Sequence, residues 1–241
     1  MIVQNKITFI TFLFLTGSLL TVVSCGKSDK RSSHAATPIV STSPHVEEEI
    51  QDDQGIYKAV LKPMNSVISG ETTGTVEVRI EGDDVVVESR VQGAPAGVKH
   101  LQNILVSSYC PDINADANKD NVIDFIEALP KTGPILIPLD SDISEQMDGI
   151  EYGPIANSAG SYIYRRSSTL SRILAGLRSP DPDLHDSIVK LPEGKDLNLA
   201  GRVVMIHGVK SNSVLPESVK SVGYLTKEQS LPIACGVLIR Q

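Results

Sequence analysis

The chain has 241 residues, with 22 Lys and Arg against 29 Asp and Glu, and 41% of its residues are hydrophobic. That mixture is too apolar for a disordered chain and too polar for a multi-span membrane protein. A formal charge of −7 leaves no basic excess to release counterions from a phosphate backbone, so no nucleic-acid partner is expected.

The first element is an export signal. Lys6 is the only charged residue before Lys27, and residues 7–23 form an uncharged, largely apolar stretch about the length of a signal h-region. Val22-Val23-Ser24-Cys25 resembles the bacterial lipobox, where a peptidase cuts before the Cys and the thiol receives a diacylglyceryl group. Residues 1–24 are therefore read as a lipoprotein signal peptide and Cys25 as the lipidation site. The alternative is an uncleaved signal anchor in which Cys25 is incidental. Acyl chains on one residue hold a protein at a membrane, since each buried CH₂ contributes about 0.8 kcal/mol. Gly26, in place of an Asp, points to the outer membrane where an envelope has two. The expected location is the bacterial cell envelope, lipid-anchored.

Residues 25–53 read as a flexible tether. Ser, Thr and Pro dominate its first part, and Glu47, Glu48, Glu49, Asp52 and Asp53 form an acidic run. It lacks the apolar mass that would offset ordering entropy. His34 and His45 are read as solvated tether residues.

From residue 54 to 241 the texture is that of one β domain. Residues 57–62 form a strand stopped by Pro63. Val76, Val78 and Ile80 alternate with polar residues, Gly82-Asp83-Asp84 is a turn signal, and Val85, Val87, Ser89 and Val91 continue the alternation. This predicts a hairpin with one buried and one solvated face. Residues 202–207 and 234–239 are two further β runs, with a loop-rich segment and possible short strands between them. The chain has three Cys. With Cys25 lipidated, Cys110 and Cys235 are left as a pair in an exported protein, where a disulfide is expected. Two buried free thiols are the alternative.

Residues 116–127 carry the sharpest chemical signal. Asp116, Asn118, Asp120, Asp124 and Glu127 place oxygen side chains at positions one, three, five, nine and twelve of an EF-hand calcium loop. Calcium is a hard cation that takes about six to eight oxygens. Asp116, Asn118 and Asp120 would each give one, Val122 its carbonyl, Asp124 a direct or water-mediated contact, and Glu127 both carboxylate oxygens. Asn121 stands where Gly is usual, and Asn tolerates the left-handed backbone that position needs. A register beginning at Asp112 fails, because Ile123 would fill its last position. Pro111 leaves no room for a long entering helix, and a short exiting helix should end at Pro130. The expected cation is a structural Ca²⁺. A solvated Asp/Asn turn is the alternative.

In order along the chain, these pieces resemble the copper–zinc superoxide dismutase fold and its relative, the CHRD domain. Residues 57–62, 74–81 and 84–93 look like the first strands, residues 97–105 like the stretch that carries a His-x-His copper pair, 201–207 like a later strand ending in a copper ligand, and 233–238 like the last strand, whose Cys pairs with one in the metal-loop region. The resemblance implies an all-β Greek-key sandwich or barrel with a long loop-rich insertion bearing a short helix. It does not carry the family's metal ligands across. Asn103 and Leu105 stand where the copper pair would be, Pro232 where an anion-guiding Arg would be, and His100 matches a non-ligand. Only His207 matches a copper ligand, and a single imidazole cannot hold a copper ion in both oxidation states. His185 is the only His between Cys110 and Gly201. Copper and zinc are therefore not expected.

Other chemistries find little support. Asp140, Asp142, Glu145 and Asp148, and again Asp181, Asp183 and Asp186, are read as solvated loop faces. Residues 161–178, with Tyr162, Tyr164, Arg165, Arg166, Arg172 and Arg178, are read as an edge strand and turn rather than a basic ligand surface. The function expected is a non-catalytic, calcium-stabilised structural or binding module of the envelope, with an unknown protein or small-molecule ligand. The alternatives are a divergent superoxide dismutase and a copper-binding protein using His207, Met205 and His100.

Overall fold

Alternating sequence and continuous apolar sequence build two kinds of strand in this chain. A computed structural model describes residues 53–145, 153–178, 191 and 194–241. Cys25, His34, His45, His185, Asp148, Asp181, Asp183 and Asp186 lie outside the described residues. Strands β1 (Gly55–Pro63), β2 (Thr73–Glu81) and β3 (Asp84–Gln92) follow one another, separated between β1 and β2 by the short helix α1 (Ser66–Ser69). Val76, Val78, Ile80, Val85, Val87 and Val91 are all buried, as their period of two requires. The β2–β3 register runs from Thr73 opposite Gln92 to Glu81 opposite Asp84, closed by Gly82 in the left-handed conformation (φ 61°) that a tight hairpin turn demands. On the solvated face Glu88 pairs with Arg90 at 2.6 Å and with Arg165 at 3.3 Å.

The remaining elements are β4 (Gln102–Leu105), α2 (Phe125–Thr132), β5 (Ile135–Pro138), β6 (Tyr162–Thr169), α3 (Leu170–Arg178), β7 (Val203–His207), α4 (Lys227–Ser230), β8 (Pro232–Val237) and β9 (Ile239–Arg240). All pairings are antiparallel. The path is β5-β4-β7-β8-β1-β2-β3-β6, with β9 also on β1, giving a nine-stranded sheet that curls into a half-barrel. The fold is all-β, as the sequence pattern predicts. β1 turns the corner: Tyr57 and Lys58 pair with β9, whereas Lys62 and Pro63 pair with β8. Gly236 permits this crossing, since a Cβ there would lie 2.6 Å from the Val60 carbonyl oxygen.

The second kind of strand lies on the β5-β4-β7-β8 side. Every residue of β4, β5 and β7 is buried, so these strands have apolar cover on both faces. Val204, Ile206 and Ile104 join the main core with the β1–β3 valines. Val203, Met205, Leu105, Ile135 and Cys235 form a second cluster with Met64, Ala115, Ile123, Phe125 and Ala128. Residues 110–132 thus cover the outer face of this part of the sheet. Cys110 and Cys235, 125 residues apart in sequence, are joined as a disulfide with their Cα atoms 5.8 Å apart, and Cys235 is in register with Met205.

Several sequence expectations are corrected. α2 does not stop at Pro130 but runs through it to Thr132. Pro130 removes only the bond to the Ile126 carbonyl, and the end of the helix is kept by Gly133 N–H donating to Leu129 O at 2.9 Å. Residues 170–178 are helix α3 rather than a turn. Leu170, Ile173, Leu174 and Leu177 recur at helical spacing and pack on the main core, and Asp83 of the hairpin accepts the Ser171 amide at 2.8 Å and its hydroxyl at 2.9 Å. Between residues 209 and 231 there is no strand; α4 is the regular element there. Asp53 belongs to the fold and not to the tether. It is buried, and its carboxylate accepts the amides of Leu197 and Asn198, each at 2.7 Å. Arg202 holds the same segment as well, donating to the carbonyls of Leu197 and Asn198. Desolvation raises the carboxyl pKa of Asp53.

The long loop closed by the disulfide predicts a large contribution. Replacing both Cys110 and Cys235 by Ser should lower unfolding free energy by about 2–5 kcal/mol in urea titrations. An unchanged midpoint would contradict the role given to this bond.

Candidate metal centre

The chain enters the loop at residues 116–127 from a single 3₁₀ turn, Ile113–Ala115, capped by Asp112, whose carboxylate accepts the Asn114 amide at 3.1 Å. Pro111 and the disulfide at Cys110 leave space for no more. The loop then winds its own amides around its carboxylates. Asp116 accepts the N–H of Lys119 at 2.7 Å and of Asn121 at 2.8 Å. Asn118 accepts Asp120 N–H at 2.9 Å, and Asp120 accepts Val122 N–H at 2.8 Å. Glu127 reaches back to the amides of Ala117 at 3.0 Å and Asn118 at 3.2 Å. Lys119 and Asn121 both take left-handed backbone, at φ 63° and 65°, so Asn121 has the conformation for which Gly is usual at that position.

Asp124, the ninth loop residue, also caps the start of α2. Its Oδ1 accepts the Glu127 amide at 2.9 Å while Glu127 Oε2 accepts the Asp124 amide at 3.2 Å, a reciprocal capping box. Its Oδ2 accepts the Lys220 amide at 2.8 Å. Asp124 is buried, and both its oxygens are thus held by backbone donors. Ser218 donates its hydroxyl to Asp120. Ser218 and Lys220 lie about a hundred residues from the loop in sequence, and neither carried a signal that sequence reading could use.

The structure therefore brings Asp116, Asn118, Asp120, Val122, Asp124 and Glu127 into one loop. Among the described residues, no three His, Cys, Asp or Glu side chains converge as a metal-holding group; in this loop the carboxylates are turned onto amides. An open cleft beside it is lined by Asn118, Glu127, Lys131, Ser218 and Lys220.

The positions that the dismutase resemblance assigns to copper lie beneath this loop. Asn103 is in register with Met205, and Leu105 with Val203. His207 is buried against Phe125, with ring centroids 5.6 Å apart. Its Nδ1 lies 2.9 Å from the Ser230 carbonyl, which can only accept, so Nδ1 carries the proton. Nε2 is then bare, and it has no hydrogen-bond partner. Asn103 Oδ1 is likewise buried without one. His100 faces elsewhere, stacked on Tyr162 at 5.5 Å, with Nδ1 2.9 Å from His207 O and Nε2 3.2 Å from Pro95 O. Each ring nitrogen thus faces a carbonyl, and a neutral imidazole, with one N–H, donates to only one of them at a time.

The cationic and acidic clusters are largely paired. Arg172 meets Asp142 at 3.1 Å, Arg166 lies over the Tyr164 ring, and Arg178 donates to Lys195 O at 2.6 Å. Asp140 is buried rather than solvated, and its backbone carbonyl accepts the Tyr164 hydroxyl at 2.9 Å. Asp142 is held below the ordinary carboxylate range by the hydroxyl and amide of Ser144, with Arg172 adding to the effect. No protein-family model and no curated protein sequence matches the chain. Among the described residues, no helix is long and apolar enough to cross a membrane.

Burial of His207 pushes its pKa down to about 4, and His100 is lowered by the same cause. The unfolded chain takes up a proton near pH 6.5, while folded His207 refuses one until about pH 4. This stabilisation is complete above pH 6.5 and is lost as pH falls towards 4, on the order of 3 kcal/mol for His207. His207→Asn keeps a donor for Ser230 and removes the titration. Its urea midpoint should fall less between pH 7 and pH 4.5 than the wild-type midpoint does. Parallel pH profiles would contradict the assignment.

Proposed function

We propose that the protein is a non-catalytic lipoprotein of the bacterial cell envelope, anchored through Cys25, whose β domain resembles the dismutase and CHRD type and binds a structural Ca²⁺ in residues 116–127. One observation carries the calcium reading. Four oxygen-bearing side chains, Asp116, Asn118, Asp120 and Glu127, are held within a single loop by its own amides, with left-handed backbone at Asn121. Such side chains are already ordered, so a hard cation gains their oxygens with little further ordering cost.

In this reading Asp116, Asn118 and Asp120 each supply an oxygen, Val122 its carbonyl, and Glu127 its carboxylate. Asp124 keeps its cap and its bond to Lys220, and reaches the ion through water, as the ninth loop position often does. The cation serves to fasten residues 110–132 over the outer face of β4, β7 and β8. The ligand of the module itself is an unidentified protein or small molecule at the membrane surface. Catalysis is not assigned, because the residues that align with the copper pair are Asn103 and Leu105.

The test uses purified full-length protein stripped with chelator. Calcium titration should reveal one site, with a dissociation constant reaching about 10⁻⁴–10⁻³ M if it resembles other extracellular modules. Glu127→Gln should weaken it at least about tenfold and abolish the rise in melting temperature that calcium gives the wild type. Equal melting temperatures with calcium and with chelator, or stoichiometric copper with superoxide-dependent turnover, would overturn the proposal.

A further inference from the structure

We propose that Asn65 is a positioning residue for this loop, aiming the Val122 carbonyl that faces the cation; the inference rests on the calcium reading of residues 116–127. Asn65 follows β1 in left-handed backbone, φ 50° and ψ 37°, and stands at the N-terminus of α1. An Asn there commonly spends its side chain on its own helix. Asn65 does not; its backbone carbonyl alone accepts the amides of Ile68 at 2.9 Å and Ser69 at 3.0 Å.

The carboxamide is used across the fold instead. Oδ1 accepts the Ile123 N–H at 2.9 Å, and Nδ2 donates to Ile123 O and to Pro232 O, both at 2.9 Å. An amide N–H must meet an oxygen and two carbonyls must meet a donor, so only one orientation of the carboxamide satisfies all three. Asn65 therefore pairs with Ile123 as a neighbouring strand would, and fastens it to the start of β8.

The Ile123 N–H and the Val122 C=O belong to one planar peptide unit. No peptide bond in the described residues is cis, so N–H and C=O point in opposite directions. Turning the N–H onto Asn65 turns the Val122 oxygen away from β8, to which Asn65 is tied. The preceding peptide unit, Asn121–Val122, is held separately, because Val122 N–H donates to Asp120 at 2.8 Å. Accepting the N–H also polarises the same peptide and makes its carbonyl a better ligand.

The experiment compares calcium affinity by calorimetry with melting temperature in chelator, for the full-length wild type, Asn65→Gly and Asn65→Asp. Gly and Asp both tolerate the left-handed backbone. Asn65→Gly removes the acceptor and should weaken calcium binding about tenfold or more. Asn65→Asp keeps the acceptor for Ile123 but loses both donated bonds, so it should melt lower and still bind calcium with wild-type affinity. Wild-type binding with Asn65→Gly unchanged would overturn the role of Asn65 alone. So would an Asn65→Asp affinity that falls in step with its melting temperature, the behaviour of a merely structural staple. A wild type that binds no calcium would remove the calcium reading, and the role of Asn65 with it.

Discussion

The outer face of β4, β7 and β8 must be covered, and most other features of the domain follow from that constraint. Leu105, Val203 and Met205 face away from the main core, and left in water they would form an exposed apolar patch. Residues 110–132 supply the cover, through Ala115, Ile123, Phe125 and Ala128. A segment this short has little core of its own. It needs fastenings, and it has one at each critical point: the Cys110–Cys235 disulfide where it begins, Asn65 on Ile123 in its middle, and Asp124 on Lys220 where its helix starts.

The polar loop sits at the edge of this cover. None of the described ion pairs involves its carboxylates. They are instead turned onto amides of their own loop and onto Ser218. In the calcium reading proposed above, these amides orient the oxygens before any ion arrives. Nε2 of His207 and Oδ1 of Asn103, on β7 and β4, are each buried without a hydrogen-bond partner.

Much of this was legible in the chain. The β2–β3 hairpin was written in strict alternation around Gly82-Asp83, and both its register and its buried valines follow. The two remaining cysteines implied the disulfide once export was read from residues 1–25. Helix α3 was missed because Tyr162 to Thr169 dominates the local pattern as a strand, although Leu170, Ile173, Leu174 and Leu177 held the helical period. Pro130 misled because a proline near a helix end removes one hydrogen bond and need not stop the helix. Asp53 looked like one more tether acid, since nothing local reveals that the amides of Leu197 and Asn198 await it. Asn65, Ser218 and Lys220 were invisible for the same reason. Their partners are set by tertiary placement, and no spacing in the sequence encodes it.

The most direct test is a crystal structure grown in millimolar calcium. The expected result is one ion with oxygens of Asp116, Asn118, Asp120, Glu127 and the Val122 carbonyl at about 2.3–2.6 Å, and Asp124 still on the Lys220 amide. No ion among these oxygens at that concentration would contradict it.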